Sequence, residues 1–200
     1  MDPIDMAVLV LRRDGLVVYP TETVYGLGAD ALSEDAVRRV YEAKNRPVGK
    51  PISVAVSDME MLETIAEVDD LARAFIKQFL PGPVTVILPA RSCLPEILTG
   101  GTGLIGIRWP NNEIAIELIS RLDAPITSTS ANISDDIAPT RPDEVSAPHD
   151  YLIDGGELPG TPSTVVDLSA RRILRKGAEW EAVEAFLETL RWKHAADTTP

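Results

Sequence analysis

The chain has 200 residues, 44% of them hydrophobic and 5% aromatic, enough for one large domain or two small ones around a packed core. Its net charge of −12 counts against a non-specific nucleic-acid coat, which depends on basic surface, and makes any local cluster of cations informative. No apolar run reaches the roughly 18 residues of a membrane helix, and two acids stand where a signal peptide carries cations. Cys93 is the one cysteine, which excludes an intramolecular disulfide and a thiolate metal cluster. Together these features predict a cytoplasmic protein.

Short apolar runs alternate with helical patterns along the whole chain. The first predicted strand, Leu16–Tyr19, ends at Pro20 and leads into a predicted loop, "TETVYGLG", shaped by Gly26 and Gly28, in which two threonines flank Glu22, an acid that either faces solvent or orients a neighbouring cation. Ser33 caps a predicted helix whose inner face is Val37, Val40 and Tyr41. Strand Ile52–Val56 comes next, and then Ser57 and Glu60 at capping-box spacing before Leu62 and Ile65. Leu71, Phe75, Ile76 and Phe79 repeat at helical spacing until "LPGP" stops them. Strands Val84–Leu88 and Leu104–Arg108 precede a helical face of Ala115, Leu118, Ile119 and Leu122.

Strand Ile126–Ser130 opens a hydroxyl-rich run, "ITSTSANIS", and a long Pro- and Asp-rich loop occupies 134–150, of the kind that is either a functional lid or disordered. Strands Tyr151–Asp154, Ser163–Asp167 and Arg172–Arg175 follow, with a final helix from about Ala178 to Arg191. The pattern predicts a single α/β domain with a mixed, twisted sheet over residues 1–192 and a flexible tail over 193–200.

Several chemical devices are missing. There is no GxxxxGK[ST] phosphate loop and no GxGxxG after a strand. His149 and His194 are too isolated for a zinc pair or a nucleophilic triad. What remains is "EAKNRPVGKPIS", with Lys44, Arg46 and Lys50 inside seven residues of a loop stiffened by Pro47 and Pro51. A solvated charge run at a helix C-terminus explains Lys44 and explains Arg46 and Lys50 poorly. A fixed anion site accounts for all three, since Arg offers phosphate a planar fork and Lys a compact charge. The hydroxyls of "ITSTSANIS" sit at a strand's C-terminal end, where open α/β sheets bind ligands, although Ser and Thr also close turns through their own backbone. Arg108 ends its strand as either a structural ion pair or a carboxylate ligand.

In order and spacing, "YPTETVYGLG", "AKNRPVGKPIS", "LPGPVTVIL", "GIRWP", "STSANIS", "PSTVVDLS" and "ILRKGA" resemble the YrdC-type threonylcarbamoyl-AMP synthase family, from about Gly15 to Gly177. The set includes that family's KxR and SxN signatures, as Lys44-Asn45-Arg46 and Ser130-Ala131-Asn132. The resemblance implies a YrdC-like fold with flanking helices around a positively charged cavity, in its single-domain form. It implies that L-threonine, bicarbonate and ATP, with Mg²⁺, give threonylcarbamoyl-AMP and pyrophosphate, for a downstream threonylcarbamoyl-transfer machinery acting on tRNA.

By the same resemblance, Lys44, Arg46 and Lys50 are catalytic and hold the triphosphate, and Ser53, Ser130, Asn132, Thr140 and Arg175 contact the nucleotide. Thr23, Arg108, Ser128 and Ser130 hold threonine, and no protein side chain is assigned to a metal. Asp135 and Asp136 depart from the small Gly/Pro turn usual after SxN and are expected to face solvent or to help recruit Mg²⁺. The alternative is a double-stranded RNA or nucleotide-binding module of the same fold without this activity, against which the −12 charge counts. Carbamoyl transfer in hydrogenase maturation, the work of a much longer sibling, is a more distant alternative.

Overall fold

The computed structural model describes residues 2–197, with side chains through residue 190. The chain opens with helix α1 (Pro3–Leu11), whose first turn is fixed by Asp2: its carboxylate accepts the Asp5 N–H at 2.8 Å. Strands β1 (Val17–Tyr19) and β2 (Gly26–Gly28) precede α2 (Glu34–Ala43), β3 (Ser53–Ala55), α3 (Met59–Ile65), α4 (Asp70–Phe79), β4 (Val84–Pro89) and the short α5 (Glu96–Thr99). Strand β5 (Leu104–Arg108), helix α6 (Glu113–Leu122) and β6 (Ile126–Ser130) follow. The last elements are β7 (Tyr151–Leu152), β8 (Thr164–Asp167), β9 (Arg172–Arg175) and α7 (Trp180–Asp197). The caps show why helices start where they do, for Ser33, Asp69 and Asn112 each accept a backbone N–H of the following first turn.

The nine strands form one mixed sheet in the order β7-β1-β2-β6-β3-β5-β4-β8-β9. Strand alternation sorts the core into two layers. On one face, Val54, Val86, Ile107 and Val166 pack under α2, α3, α4 and α7, with Val40, Leu62, Phe75 and Leu187 among the contacting residues. On the other, Val17, Tyr19, Ala55 and Ile126 lie under α1 and α6. Those two helices cover only part of their face. Ser53, two residues before Ala55 and on the same side, looks into an open cavity beside them.

Several expected boundaries shift. Strand β2 lies where a loop was expected: Tyr19 pairs with Gly26 and Val17 with Gly28. A Cβ on Gly26 would stand 2.8 Å from the Tyr19 ring and one on Gly28 3.0 Å from it, so the two glycines make room for a side chain rather than for a turn. The cap of α3 is Asp58, not Ser57: the Asp58 carboxylate accepts the Met61 N–H at 2.8 Å, while the Ser57 hydroxyl donates to Asp58 instead of to the helix. The run at 3–11, not read as an element from the sequence, is helical. Helix α7 continues past the expected Arg191 to Asp197, so the backbone at 193–197, expected in a flexible tail, is helical; the rest of that tail, 198–200, lies outside the described residues. Among the described residues no helix is long and apolar enough to cross a membrane.

Candidate active site

The cavity, about 270 Å³ in volume, opens where the ends of β5 and β6 meet the turn after β1. Of the residues singled out in the sequence, it brings together Thr23, Lys44, Arg46, Ser53 and Arg108 with Ser128, Ser130, Asn132 and Arg175. Two stand apart. The Lys50 side chain is exposed on the turn beyond Arg46, and Thr140 donates its hydroxyl to Glu144 at 2.9 Å outside the cavity lining.

At one end, Thr21 closes its own turn. Its hydroxyl bonds the Val24 carbonyl at 2.8 Å and accepts the Thr23 N–H at 3.1 Å. The Thr23 hydroxyl lies 2.8 Å from that of Thr21. With the Thr21 proton on Val24, Thr23 donates to Thr21 and turns its lone pairs towards Arg108, whose two terminal nitrogens are 3.4 and 3.5 Å away. Arg108 is 6% exposed. Behind it, Glu22 Oε1 lies 2.9 Å from Nη2, yet neither Glu22 oxygen nor Arg108 Nε completes a hydrogen bond among the described residues. Glu22 is thus the counter-ion that makes a buried guanidinium tolerable, and it orients that cation rather than facing solvent. The Tyr19 phenol shares this neighbourhood. Burial pushes it up to about 12, with Ser128 and Arg108 opposing and Glu22 reinforcing the rise.

Across the cavity, Arg175 donates Nε and Nη2 to the Ser163 carbonyl at 3.0 and 2.8 Å and Nη2 to the Ser163 hydroxyl at 2.9 Å. That hydroxyl is 2.9 Å from Thr85 Oγ1. Burial of the guanidinium, and after it the nearby charge of Arg108, lowers the Arg175 pKa below the usual guanidinium value. Two cations that repel one another across a shared cavity favour anions between them.

At the third corner Arg46 donates to the carbonyls of Lys50 (3.2 Å) and Pro51 (2.9 Å), which leaves most of its five N–H groups free. Lys44 is 2% exposed. Its Nζ donates to the carbonyls of Ser130 and, at 2.6 Å, of Asn132. Burial pushes the amine down to about 8, with Arg46 adding to the shift. The Asn132 amide is fixed by bonds from Nδ2 to the carbonyls of Ile133 and Asp136 at 2.8 and 2.9 Å, and its Oδ1 is buried and unpartnered. Asp135, in a left-handed conformation with φ 73°, is exposed and also lines the cavity. Among the described residues no group of three or more His, Cys, Asp or Glu is placed to hold a metal.

Sequence reasoning missed Thr21, Thr85 and Ser163. Thr85 carried a signal, since it is the one polar residue inside the apolar run "VTVIL" and alternation turns it to the face opposite Val84 and Val86. Thr21 opens the turn after β1, where hydroxyls are common for local reasons, and Ser163 forms a lone bridge with Ala178 just before β8, where no local pattern marks it.

The chain is similar in sequence and fold to known proteins. A threonylcarbamoyl-AMP synthase of Pyrococcus abyssi is 43% identical over 165 residues, covering 80% of this chain and 48% of that protein. One from Escherichia coli is 34% identical over 184 residues, covering 88% of this chain and 96% of that protein. The crystal structure of P. abyssi Sua5 complexed with L-threonine superposes with a TM-score of 0.85 at 41% identity, covering 90% of this chain and 56% of that one. The chain therefore spans about half the length of its Pyrococcus relative and nearly all of the E. coli one. The family model for Sua5/YciO/YrdC proteins, described as "Telomere recombination", matches residues 9–177, from the end of α1 through the strand that carries Arg175, and the chain belongs to that family.

Proposed function

We propose that the protein is an L-threonylcarbamoyladenylate synthase, forming threonylcarbamoyl-AMP and pyrophosphate from L-threonine, bicarbonate and ATP. The observation that carries this reading is one cavity with two unlike anion sites: a rigid, buried Arg108 with Thr23 at one end, and Arg46 beside the Ser130–Asn132 turn at the other. An amino-acid carboxylate suits the first, because a pre-set guanidinium binds a carboxylate through two parallel bonds. A triphosphate suits the second.

The threonine amine condenses with bicarbonate to a carbamate, releasing water. A carbamate oxygen then attacks the α-phosphorus of ATP; the bond from that phosphorus to the bridging oxygen breaks, and pyrophosphate leaves with the electron pair. No protein nucleophile is needed, so the chain's task is to hold two anions in line and to stabilise charge on the phosphate. Arg46 faces the transferring phosphates, Arg175 neutralises charge between the two ends, and the hydroxyls of Ser53, Ser128 and Ser130 line the floor between them. Mg²⁺, bound with the phosphates, would neutralise part of their charge, and Asp135 is the carboxylate on the cavity lining that would face it. That donor set suits an ion that keeps mostly phosphate and water ligands. The adenylate then serves a threonylcarbamoyl-transfer machinery acting on tRNA.

The test is pyrophosphate release from ATP with each co-substrate omitted in turn. The expected result is release that requires both L-threonine and bicarbonate. Release needing neither, or salt-dependent binding of double-stranded RNA by a protein inert towards ATP, contradicts the proposal.

A further inference from the structure

We infer that Lys44 is a positioning residue that builds the Ser130–Ser134 turn, rather than a ligand of the nucleotide's phosphates. In β6 the backbone groups of alternate residues face opposite neighbours. The N–H groups of Thr127 and Ala131 bond Ala29 and Tyr25, on the β2 side. Ser128, Ser130 and Asn132 therefore turn their backbone towards β3. There Ser128 pairs with Ser53, and continuing the antiparallel register by two residues places Pro51 opposite Ser130. Proline has no N–H to give. The ladder fails at the point where the SxN segment starts: the Ser130 carbonyl faces a residue with no N–H to offer, and the next carbonyl on that side, Asn132, lies beyond the start of β3.

Lys44 fills the gap. Its ammonium reaches both carbonyls, Ser130 and Asn132, and its own carbonyl accepts the Ser134 N–H at 2.8 Å. One residue thus holds positions 130, 132 and 134, and the Asn132 amide is then fixed against Ile133 and Asp136. The backbone of Lys44 is itself anchored as the C-cap of α2, its N–H bonding Val40. A buried amine with two of its three donors on carbonyls is an arrangement that makes burial tolerable. It also explains why Lys44 and Ser130–Asn132, far apart in sequence, form one unit, with Arg46 the member that keeps most of its N–H groups free for phosphate.

The first test uses the wild-type protein without nucleotide and does not depend on the functional reading. The ¹³C carbonyl signals of Ser130 and Asn132 and the amide of Ser134 are followed by NMR alongside the Lys44 side chain as pH rises through about 8. The expected result is a common midpoint for all four. A Lys44 signal that titrates while the carbonyls stay still overturns the inference. The second test rests on the nucleotide reading and compares ATP with AMP by calorimetry. Lys44→Met is expected to weaken both by a similar factor, at least about tenfold for a lost pair of charge-assisted bonds, whereas Arg46→Met weakens ATP far more than AMP. A Lys44→Met protein that loses ATP and keeps wild-type affinity for AMP makes Lys44 a phosphate ligand and refutes the positioning role. Wild-type protein that binds neither nucleotide refutes the nucleotide reading alone.

Discussion

Replacing Arg108 with alanine is expected to raise the L-threonine concentration for half-maximal turnover on the order of 10²–10³-fold and to destabilise the fold by about 3–5 kcal/mol. The two effects share one cause. Arg108 and Glu22 are a buried pair, with side-chain exposures of 7% and 18%, and removing the cation strands a carboxylate that completes no hydrogen bond of its own. The two effects can also be separated. Changing both residues, Glu22→Gln with Arg108→Gln, removes the stranded charge and is expected to recover most of the stability while the threonine requirement stays high. Titrating threonine in the pyrophosphate assay, with thermal unfolding of the same proteins, checks both halves. Equal threonine dependence in Arg108→Ala and wild type refutes the carboxylate assignment.

The second large effect belongs to Arg46. Arg46→Ala is expected to lower kcat with ATP by roughly 10²–10³-fold, the magnitude of losing one preorganised group that stabilises developing charge, while half-saturation by threonine stays near wild type. Its two carbonyl contacts, to Lys50 and Pro51, fix the guanidinium with its remaining donors towards the cavity. Lys50, on the same cationic run, is exposed and is not among the cavity-lining residues, so Lys50→Ala is expected to cost less than about tenfold. Steady-state kinetics of the two variants side by side decide the matter. An Arg46→Ala enzyme no worse than Lys50→Ala overturns the assignment.

Much of this site was legible in the sequence because its parts are placed by rules of period and position. Strands ending in Arg108 and Ser130 could be read from apolar runs with polar ends, and both boundaries match. The structure differs where a residue type has two physical uses. "YGLG" reads as a turn because glycine is the usual turn residue, but here it is a strand whose missing side chains admit the Tyr19 ring. Lys44, Arg46 and Lys50 read as equals because sequence shows charge and not direction. Folding buries the first, leaves the second on the cavity wall and exposes the third. Glu22 was ambiguous for the same reason, since its partner lies 86 positions along the chain on β5. The hydroxyl pair Thr85–Ser163 joins β4 to the residue before β8, a contact that no local pattern announces.

On the proposed reading, a single cavity joins threonine, a one-carbon unit and an adenylyl group. Incubating the protein with L-threonine, ATP and ¹³C-bicarbonate and resolving the products by mass spectrometry tests it most directly. The predicted result is threonylcarbamoyl-AMP carrying one ¹³C, formed in step with pyrophosphate. Production of AMP or ADP alone, or of an adenylate that carries no label, would contradict it.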